Sequence, residues 1–313
     1  MSARGTPLEV VAAVLRDAQG RVMLAQRHAG REHGGLWEFP GGKREPGEGA
    51  RDALARELAE ELGIALLDAQ PLWRVPWPDE RRDLVLDAWE VAFRGTPQAH
   101  DHAALAWVAP HELHAWAMPP ADRPIAAALR LPRVCAITPD AGDPETIERA
   151  ITAALAAGAR MVQVRAPRLP TTVLRDILAR AVPRASAAGA LLFVNGAHEL
   201  VGSLGLDGVQ LPAAHWRESG RPVLPAGALV GASCHDADEL ARARDGGADF
   251  VLLGPVHATA THPDRAPLGW ERFAELVHAS ALPVFALGGL APADLERARA
   301  AGAFGVAGIR AFR

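Results

Sequence analysis

The stretch GGKREPGEGARDALARELAEELGI, residues 41–64, decides the fold of the first half of the chain. It begins as a loop rich in glycine and proline, and from residue 50 onward apolar residues recur at every fourth position. These residues are Ala50, Leu54, Leu58 and Leu62. A spacing of four places them on one face of a helix, and Gly63 stands where a glycine commonly ends one. The stretch therefore predicts a helix over residues 50–62 with a buried leucine face.

The same predicted helix carries three glutamates away from its leucine face. Glu57, Glu60 and Glu61 are spaced i, i+3 and i+4, so their carboxylates share one helical face. Three like charges within two turns repel each other unless something neutralises them. A hard divalent cation such as Mg²⁺ does so with oxygen ligands, and it commonly works together with substrate phosphates. A solvated acidic face is the alternative interpretation of such a helix.

The remaining segments of the first half alternate between strand and turn patterns. Residues 8–15 and 21–26 are predicted strands, separated by a turn signal with glycine at position 20. Further strands are predicted at 70–77, 83–93 and 105–108, followed by a helix at 122–130. We therefore expect an α/β domain over residues 1–130.

The loop and the helix together match a known motif at every fixed position. Five residues separate Gly42 from Glu48, and seven separate Glu48 from Arg56, which begins the run RELAEELGI. This spacing reproduces the Nudix box. The first half thus resembles a Nudix hydrolase, whose fold is an α/β/α sandwich. The string WEFPGGK at 37–43 is most similar to the MutT branch, which cleaves oxidised nucleoside triphosphates.

The resemblance implies a role for each matching residue. The Gly41 carbonyl, Glu57, Glu60 and Glu61 match the metal-binding positions of the family, with Mg²⁺ as the expected ion and Mn²⁺ as a possible one. Glu48 and Arg56 match the pair that holds the loop against the helix. In the family, a water activated by metal attacks a phosphorus of the diphosphate, and a box glutamate helps to remove its proton. That base is Glu57 or Glu60 here.

The MutT-like features also imply a substrate. Enzymes of this branch release a monophosphate and pyrophosphate from a nucleoside triphosphate. The resemblance therefore implies an 8-oxo-dGTP diphosphatase that sanitises the nucleotide pool and supports DNA repair and replication fidelity. Arg27 matches an arginine near the substrate phosphates and sugar, and the segment from Glu38 through Phe39 and Pro40 to Gly41 is expected to line the substrate site. Phe39 is either a stacking partner for a base or a core residue.

Two acidic residues outside the box have alternative interpretations. Asp101 falls where the branch has a further acidic metal ligand, or it is simply a loop residue. Asp122 stands where MutT uses an asparagine to read the oxidised guanine. An aspartate can accept hydrogen bonds from the N1–H and amino groups of guanine. It is an equally good N-cap for the helix predicted at 122–130.

The second half changes to strands that alternate with helices. Strands are predicted at residues 133–138, 161–165, 191–196, 208–212, 229–235, 250–256, 283–289 and 305–312. Eight such units in about 180 residues predict a compact TIM-type (β/α)₈ barrel over residues 131–313, with sites at the carboxyl ends of its strands. The sequence ends directly after the eighth strand, so we expect the barrel to lack its last helix. Another element, such as the helix at 122–130 or a partner chain, would then cover that face.

This half resembles the thiamine phosphate synthase/TenI superfamily through the strings VQVR, FVNG, GVQLP, GASCHDADEL, GPVHATATH and ALGGL. The pairs Gly288-Gly289 and Ala307-Gly308 match phosphate-binding turns, although a tight barrel turn explains them equally well. The synthase holds pyrophosphate with aspartates and lysines, whereas this chain has no lysine after Lys43. A TenI-like barrel, largely degenerate, fits better.

TenI, a thiazole tautomerase, needs a histidine near the GPV turn for its proton chemistry. Pro255 fills the matching place in this chain. His257 or His262 therefore serves as an acid/base, or is plain surface.

Composition excludes several function classes. Hydrophobic residues make up 49% of the chain, and the formal net charge of −4 argues against a general nucleic-acid binder. The longest apolar run is too short for a membrane span, and the cysteines Cys135 and Cys234 fit a reduced cytoplasm. We expect a cytoplasmic enzyme acting on a nucleoside triphosphate, with no nucleic-acid duplex or membrane as partner. The pattern leaves the oligomeric state open.

Two other hypotheses remain from the sequence. The Nudix half could act on another diphosphate, for example a thiamine-pathway pyrophosphate that the barrel helps to recognise. Alternatively, the barrel is a phosphate-sensing module that regulates the Nudix half without chemistry of its own.

Overall fold

The computed structural model describes residues 6–79, 82–259 and 266–309. The chain divides into two compact units, Met1–Arg130 and Leu131–Arg313. Each unit has a hydrophobic core of its own. No helix in the described ranges is both long enough and apolar enough to cross a lipid bilayer.

The first unit contains two three-stranded sheets. The first has the order β1-β5-β4, in which β5 pairs parallel with β1 and antiparallel with β4. The second has the order β3-β2-β6 and is antiparallel throughout. The strands are β1 (Leu8–Leu15), β2 (Val22–Gln26), β3 (Trp37–Glu38), β4 (Ala65–Trp77), β5 (Leu84–Arg94) and β6 (Ala104–Val108). The helices are α1 (Ala50–Leu62) and α2 (Arg123–Ala128), with a 3₁₀ helix at Pro110–Ala115.

Helix α1 confirms the prediction made from its leucine spacing. Leu54, Leu58 and Leu62 are fully buried and belong to one cluster with residues of β1 and β2. Gly63 ends the helix in the left-handed conformation at φ 65°, and its N–H donates to the carbonyl of Ala59. A side chain at this φ would be strained, which explains the glycine. The opposite face of α1 is left free for the glutamates.

The loop before α1 runs along β1 as an additional extended segment. The N–H groups of Val11 and Ala13 donate to the carbonyls of Gly42 and Pro40, at 2.9 and 2.7 Å. Gly41 has φ 144°, and a Cβ there would overlap the backbone carbonyl of Val11. Only glycine permits this approach. The sheet therefore fixes the backbone on which the candidate site is built.

The second unit is a closed barrel of eight parallel strands, as predicted. The order β10-β11-β12-β13-β14-β7-β8-β9 returns to its start, so each strand pairs with the next one in sequence. The strands are β7 (Val134–Ile137), β8 (Met161–Val164), β9 (Leu191–Asn195), β10 (Gly208–Leu211), β11 (Leu229–Cys234), β12 (Phe250–Leu253), β13 (Val284–Leu287) and β14 (Gly305–Gly308). The helices are α3 (Pro144–Ala156), α4 (Thr171–Ala187), α5 (Glu199–Leu204), α6 (His215–Glu218), α7 (Ala237–Asp245), α8 (Gly269–His278) and α9 (Leu295–Ala300), with a 3₁₀ helix at Pro292–Asp294.

Four phenylalanines fill the interior of the barrel near the amino ends of its strands. Phe193, Phe250, Phe285 and Phe304 pack edge to face in sequence, with ring centroids 5.5 to 5.7 Å apart. Glycines on neighbouring strands make room for them, since a Cβ on Gly208 would overlap the ring of Phe193. Large and small residues thus interdigitate, as dense packing requires.

Strand β14 ends at Gly308, and the described part of the barrel continues by one residue beyond it, so the expected loss of the last helix stays a prediction. Residues 310–313 lie outside the described ranges. The cysteines Cys135 and Cys234 are buried and unpaired.

Candidate active site

Arg56 joins the loop to helix α1. Its Nε and Nη2 donate to the two carboxylate oxygens of Glu48 at 3.0 Å each, and Nη2 also donates to the carbonyl of Lys43 at 3.0 Å. The hydrogen bonds from Arg56 are the main cause that holds the pKa of Glu48 below its usual range. Such a two-pronged pair fixes geometry as well as charge. The pairing matches the role that the Nudix resemblance implies for these two residues.

Glu57 lies against the glycine loop. Its carboxylate accepts a hydrogen bond from Nη1 of Arg56 at 2.8 Å. A Cβ on Gly42 would overlap this carboxylate. Gly42 is therefore required by the position of Glu57, at a backbone conformation that other residues could adopt.

Glu61 is the most enclosed of the three glutamates on α1. Its Oε2 accepts a hydrogen bond from the N–H of Gly41 at 3.0 Å, and its side chain is only 13% exposed. Burial raises the pKa of Glu61 to about 7. A bound cation would stabilise the ionised form of this carboxylate.

Glu60 points toward solvent, with its side chain 63% exposed and 3.5 Å from Nη1 of Arg56. In the described ranges, no three His, Cys, Asp or Glu side chains already converge as a metal cage. Arg56 engages Glu57 and Glu60 instead. The donors still fit Mg²⁺ in kind, because three carboxylates and the Gly41 carbonyl are hard oxygen ligands, and a bound cation would stabilise the ionised form of Glu61 that burial disfavours.

His102 is a site residue that the sequence analysis missed. It is buried, and its Nε2 lies 3.6 Å from Oε1 of Glu38 and 3.8 Å from Oε1 of Glu61. Burial alone would lower the pKa of His102, but the hydrogen bond to Glu38 and the nearby carboxylate charges raise it overall. The only signal in the sequence was its place directly after Asp101.

Asp101 is not brought to the other candidate ligands. Both of its oxygens accept hydrogen bonds from the guanidinium of Arg31, at 2.8 and 2.9 Å. The pair is largely exposed to solvent. The structure thus places the two neighbours Asp101 and His102 differently, with the histidine turned toward the glutamates and the aspartate toward Arg31.

The substrate segment predicted from WEFPGG follows β3 toward the interior. Arg27 pairs with Glu38 through Nη1 and Oε2 at 2.5 Å and donates from Nε to the carbonyl of Glu32. Phe39 and Pro40 are buried, so Phe39 packs in the interior rather than offering an exposed ring for stacking. Glu38 consequently contacts Arg27 with one oxygen and approaches His102 with the other.

Asp122 is buried, with 7% of its surface exposed, and its Oδ1 accepts the N–H of Phe39 at 3.2 Å. Asp122 occupies the N-cap position of α2, as one of the two interpretations predicted, but its side chain forms no capping hydrogen bond to that helix. The carboxyl prefers the N–H of Phe39 because that donor lies in the same buried region. Burial raises the pKa of Asp122 to about 7.

The barrel has a cavity of about 610 Å³ at the carboxyl ends of its strands. Arg165 and Arg168 line it together with Asp140, whose carboxylate lies 3.1 and 3.3 Å from the two guanidinium groups. Gly288, Gly289 and Gly308 also line the cavity, whereas Ala307 is buried and lies outside the lining. Gly288 and Gly289 have φ of 113° and 70°, so the turn itself requires glycine.

His257 does not line this cavity. It is exposed and its ring packs edge-on against Trp270 with centroids 5.8 Å apart. His262 lies outside the described residues. The histidine that does line the cavity is His235, whose Nδ1 lies 2.8 Å from Oε2 of the buried Glu239. His235 was not predicted as a site residue, although its spacing of four from Glu239 is visible in the sequence.

Comparisons with known families identify both units. A model of the NUDIX domain matches residues 6–129, and a model described as thiamine monophosphate synthase matches residues 134–312. The chain is a fusion of these two families. Its Nudix domain is a pyrophosphohydrolase by family, and its barrel is a member of the thiamine monophosphate synthase/TenI family.

Named relatives match one half of the fusion each. The Nudix domain is 45% identical over 122 residues to the CTP pyrophosphohydrolase of Escherichia coli, covering 39% of this chain and 90% of that protein. The barrel is 41% identical over 172 residues to a putative thiamine-phosphate synthase of Geobacter sulfurreducens, covering 52% of this chain and 77% of that one. It is also 39% identical over 167 residues to the thiamine biosynthesis bifunctional protein ThiM/ThiE of Symbiobacterium thermophilum, covering 51% of this chain and 34% of that protein.

Family membership also sets the general chemistry of the Nudix domain. Nudix hydrolases generally use a divalent metal ion and act on nucleoside diphosphate derivatives. The carboxylates of α1 in the fusion protein are the residues with the oxygen donors for such an ion.

Proposed function

We propose that the Nudix domain hydrolyses a nucleoside triphosphate to a monophosphate and pyrophosphate with Mg²⁺ or Mn²⁺, and that 8-oxo-dGTP is its leading substrate. The supporting observation is the position of Glu38. One end of this residue approaches His102 beside Glu61, and its charge also acts on the buried carboxyl of Asp122. Residues 38–39 therefore link the glutamates with oxygen donors for a metal ion to Asp122, the residue proposed to recognise the nucleobase.

The residues that would hold the metal are Glu57, Glu60 and Glu61, with the carbonyl of Gly41. A bound divalent ion would neutralise charge on the phosphates and lower the pKa of the attacking water. Glu57 or Glu60 would accept the proton of the attacking water. Arg56 positions Glu57 through the hydrogen bond between them, and Gly41 orients Glu61. Arg27, held by Glu38, is the arginine that the Nudix resemblance places near the substrate phosphates and sugar.

Asp122 reads the base in this proposal. In its ionised form it accepts hydrogen bonds from guanine N1–H and the 2-amino group. The pKa near 7 means that ionised and neutral forms coexist around neutral pH. Phe39 restrains one carboxyl oxygen, which favours a fixed orientation.

CTP is a second candidate substrate, favoured by the same carboxyl. A neutral carboxylic acid donates from its O–H and accepts on its carbonyl oxygen. Cytosine offers the complementary N3 acceptor and N4 amino donor. The relative from Escherichia coli is named a CTP pyrophosphohydrolase.

Steady-state kinetics of the full chain with Mg²⁺ on 8-oxo-dGTP, dGTP, CTP and thiamine pyrophosphate test this proposal. Phosphorus NMR of the products identifies the bond that breaks. We expect pyrophosphate release, with the highest kcat/KM on 8-oxo-dGTP. A preference for CTP would favour the second candidate. A preference for thiamine pyrophosphate would instead support the hypothesis that the Nudix half acts on a thiamine-pathway pyrophosphate.

For the barrel we propose retained binding of a phosphate ester without synthase activity. Arg165 and Arg168 at the cavity support an anionic ligand, while the missing lysines argue against the synthase reaction. The full chain carrying Glu60→Gln and Glu61→Gln, which silence the Nudix half, is titrated with inorganic phosphate by calorimetry. It is then assayed for thiamine phosphate synthesis and thiazole phosphate isomerisation. Binding without turnover is expected, and turnover in either assay would contradict the proposal.

A further inference from the structure

The ion pair between Arg31 and Asp101 joins two loops that lie 70 residues apart in sequence. Nη1 and Nη2 of Arg31 each donate to one oxygen of Asp101, at 2.9 and 2.8 Å. The planar guanidinium fork fits a carboxylate and a phosphate group with the same geometry. The contact that Arg31 makes with Asp101 is therefore one it can also make with a substrate phosphate.

The backbone that carries Arg31 is held by the structure. Residues 27 and 36 close a loop, because the N–H of Arg27 donates to the carbonyl of Leu36 and the N–H of Gly35 donates to that of Arg27. The side chain of Arg27 also donates to the carbonyl of Glu32 inside this loop. The backbone of Arg31 is thus held within this loop, whereas its side chain is exposed.

Asp101 stands one residue away from the acidic cluster of the site. His102, its neighbour, lies within 4 Å of both Glu38 and Glu61. Asp101 and His102 are adjacent in the chain, and the ring of His102 extends from there to the two glutamates. The carboxylate of Asp101, however, is bound to Arg31.

The other arginines of the site are less free to leave their partners. Arg27 and Arg56 are about three-quarters buried and hold the carboxylates of Glu38 and of Glu48 with Glu57. The side chain of Arg31 is 54% exposed, and Asp101 is its only ion-pair partner among the residues that the structure describes. Exposed ion pairs contribute little stability, so this one exchanges at small cost.

We propose that Arg31 is a substrate-phosphate residue of the Nudix site that Asp101 holds in the free protein. When Asp101 turns to a bound divalent ion, Arg31 is released and binds the triphosphate. The inference rests on the proposed nucleoside triphosphate hydrolysis. Arg31 then competes with the metal ion for Asp101 and strengthens the binding of the nucleotide. Removing Arg31 is therefore expected to increase the affinity for the metal ion and to decrease the affinity for the nucleotide.

The first test measures Mn²⁺ binding to the full chain by calorimetry without nucleotide. Arg31→Ala frees Asp101, and we expect the Mn²⁺ dissociation constant to fall about threefold or more. Arg51→Ala is the matched control, because Arg51 pairs with Asp68 at 3.1 Å and both partners are more than half exposed. The control should leave Mn²⁺ affinity unchanged. Equal affinity in the Arg31 and Arg51 variants would overturn the proposal.

A second background separates this exchange from general electrostatics. Removing any positive charge near the site increases the affinity for a cation slightly. In the Asp101→Asn background, Arg31 no longer competes for a ligand, so Arg31→Ala should produce no further tightening of Mn²⁺. If the tightening persists at full size in that background, Arg31 does not act through Asp101 and the proposal fails.

The second test measures binding of an α,β-methylene nucleoside triphosphate with Mn²⁺ present. Arg31→Ala should weaken this binding about tenfold, and Arg31→Lys should restore only part of it because lysine lacks the fork. Unchanged nucleotide affinity in Arg31→Ala would overturn the phosphate role. Turnover of 8-oxo-dGTP and CTP by the wild type is measured in parallel. Absent turnover there contradicts the proposed function itself, whereas normal turnover with an unaffected Arg31 variant contradicts this inference alone.

Discussion

The carboxylate of Glu57 occupies the space that a Cβ on Gly42 would need. Gly41, one residue earlier, is restricted in a different way, since a Cβ there would meet the backbone of Val11 and its φ is 144°. Two adjacent glycines of the motif therefore serve two purposes. Gly42 makes room for a functional side chain, and Gly41 lets the loop approach the sheet.

This difference predicts separate effects of two alanine substitutions. Gly42→Ala displaces the flexible end of Glu57, so turnover should fall by about tenfold or more while unfolding free energy changes by less than about 1 kcal/mol. Gly41→Ala clashes with backbone and should cost about 2 kcal/mol or more in stability. Urea denaturation and steady-state kinetics measure both quantities. Equal losses of stability in the two variants would contradict the assignment.

Glu61→Gln tests the buried carboxylate. Without its charge, we expect transition-state stabilisation to fall by several kcal/mol, read from kcat/KM, with little loss of fold. Removing a buried ionisable group should leave the metal-free protein equally stable or more stable at pH 8, because burial disfavours the charged form. Wild-type activity in this variant would refute the metal role. Arg51→Ala serves as the control for surface changes on α1.

The protonation of Asp122 predicts a pH-dependent choice of base. Raising the pH from 6 to 8 passes through its pKa of about 7, so the guanine-reading ionised form replaces the neutral form. The ratio of kcat/KM on 8-oxo-dGTP to that on CTP should rise by one to two orders of magnitude over this range, as the mass-action ratio for a single group requires. Effects of pH on the metal cancel in this ratio. Asp122→Asn should flatten the profile, and an equally steep profile in that variant would exclude Asp122 as the reader.

The same carboxyl predicts how stability changes with pH. Its folded pKa of about 7 lies above its usual 3.8, so the folded state binds the proton more strongly between these values. Stability from this group is complete below about pH 4 and is lost as pH rises through 7. Relative to Asp122→Asn, the wild type should therefore lose about 2–4 kcal/mol between pH 5 and 8. A difference that stays constant with pH would contradict the buried position of Asp122.

The barrel interior gives a prediction about packing. Gly208→Ala places a methyl group against the carbonyl of Leu229 and the ring of Phe193. Since dense cores tolerate extra volume poorly, we expect a loss of about 1–3 kcal/mol. Gly220→Ala is the control, because its Cβ would meet no atom closer than 3.7 Å. Thermal unfolding of both full-length variants separates the two cases.

Periodicity predicted the elements whose residues repeat, and it failed where a contact links distant parts of the chain. Helix α1 was predicted with its observed ends because leucine spacing and Gly63 are local signals. Strand β3 was missed since it has only two residues, held by pairing with β2. The placement of Asp101 on Arg31 depends on two loops meeting across the fold, which spacing alone does not encode.

The histidines show the same limit for the site. His102 and His235 each lie beside carboxylates. The partners of His102, Glu38 and Glu61, are far from it in sequence. His235 and Glu239 were close enough in sequence to be paired in advance. His257 was chosen from its place after the GPV turn, but the packing of its ring on Trp270 was not visible in that pattern.

The four phenylalanines in the barrel determine how a ligand can enter and leave its cavity. They occupy the interior near the amino ends of the strands, while the cavity opens at the carboxyl ends. A ligand of the barrel therefore enters and leaves through the same opening at the carboxyl ends. A bound ligand blocks that opening until it dissociates, so the barrel binds one ligand at a time.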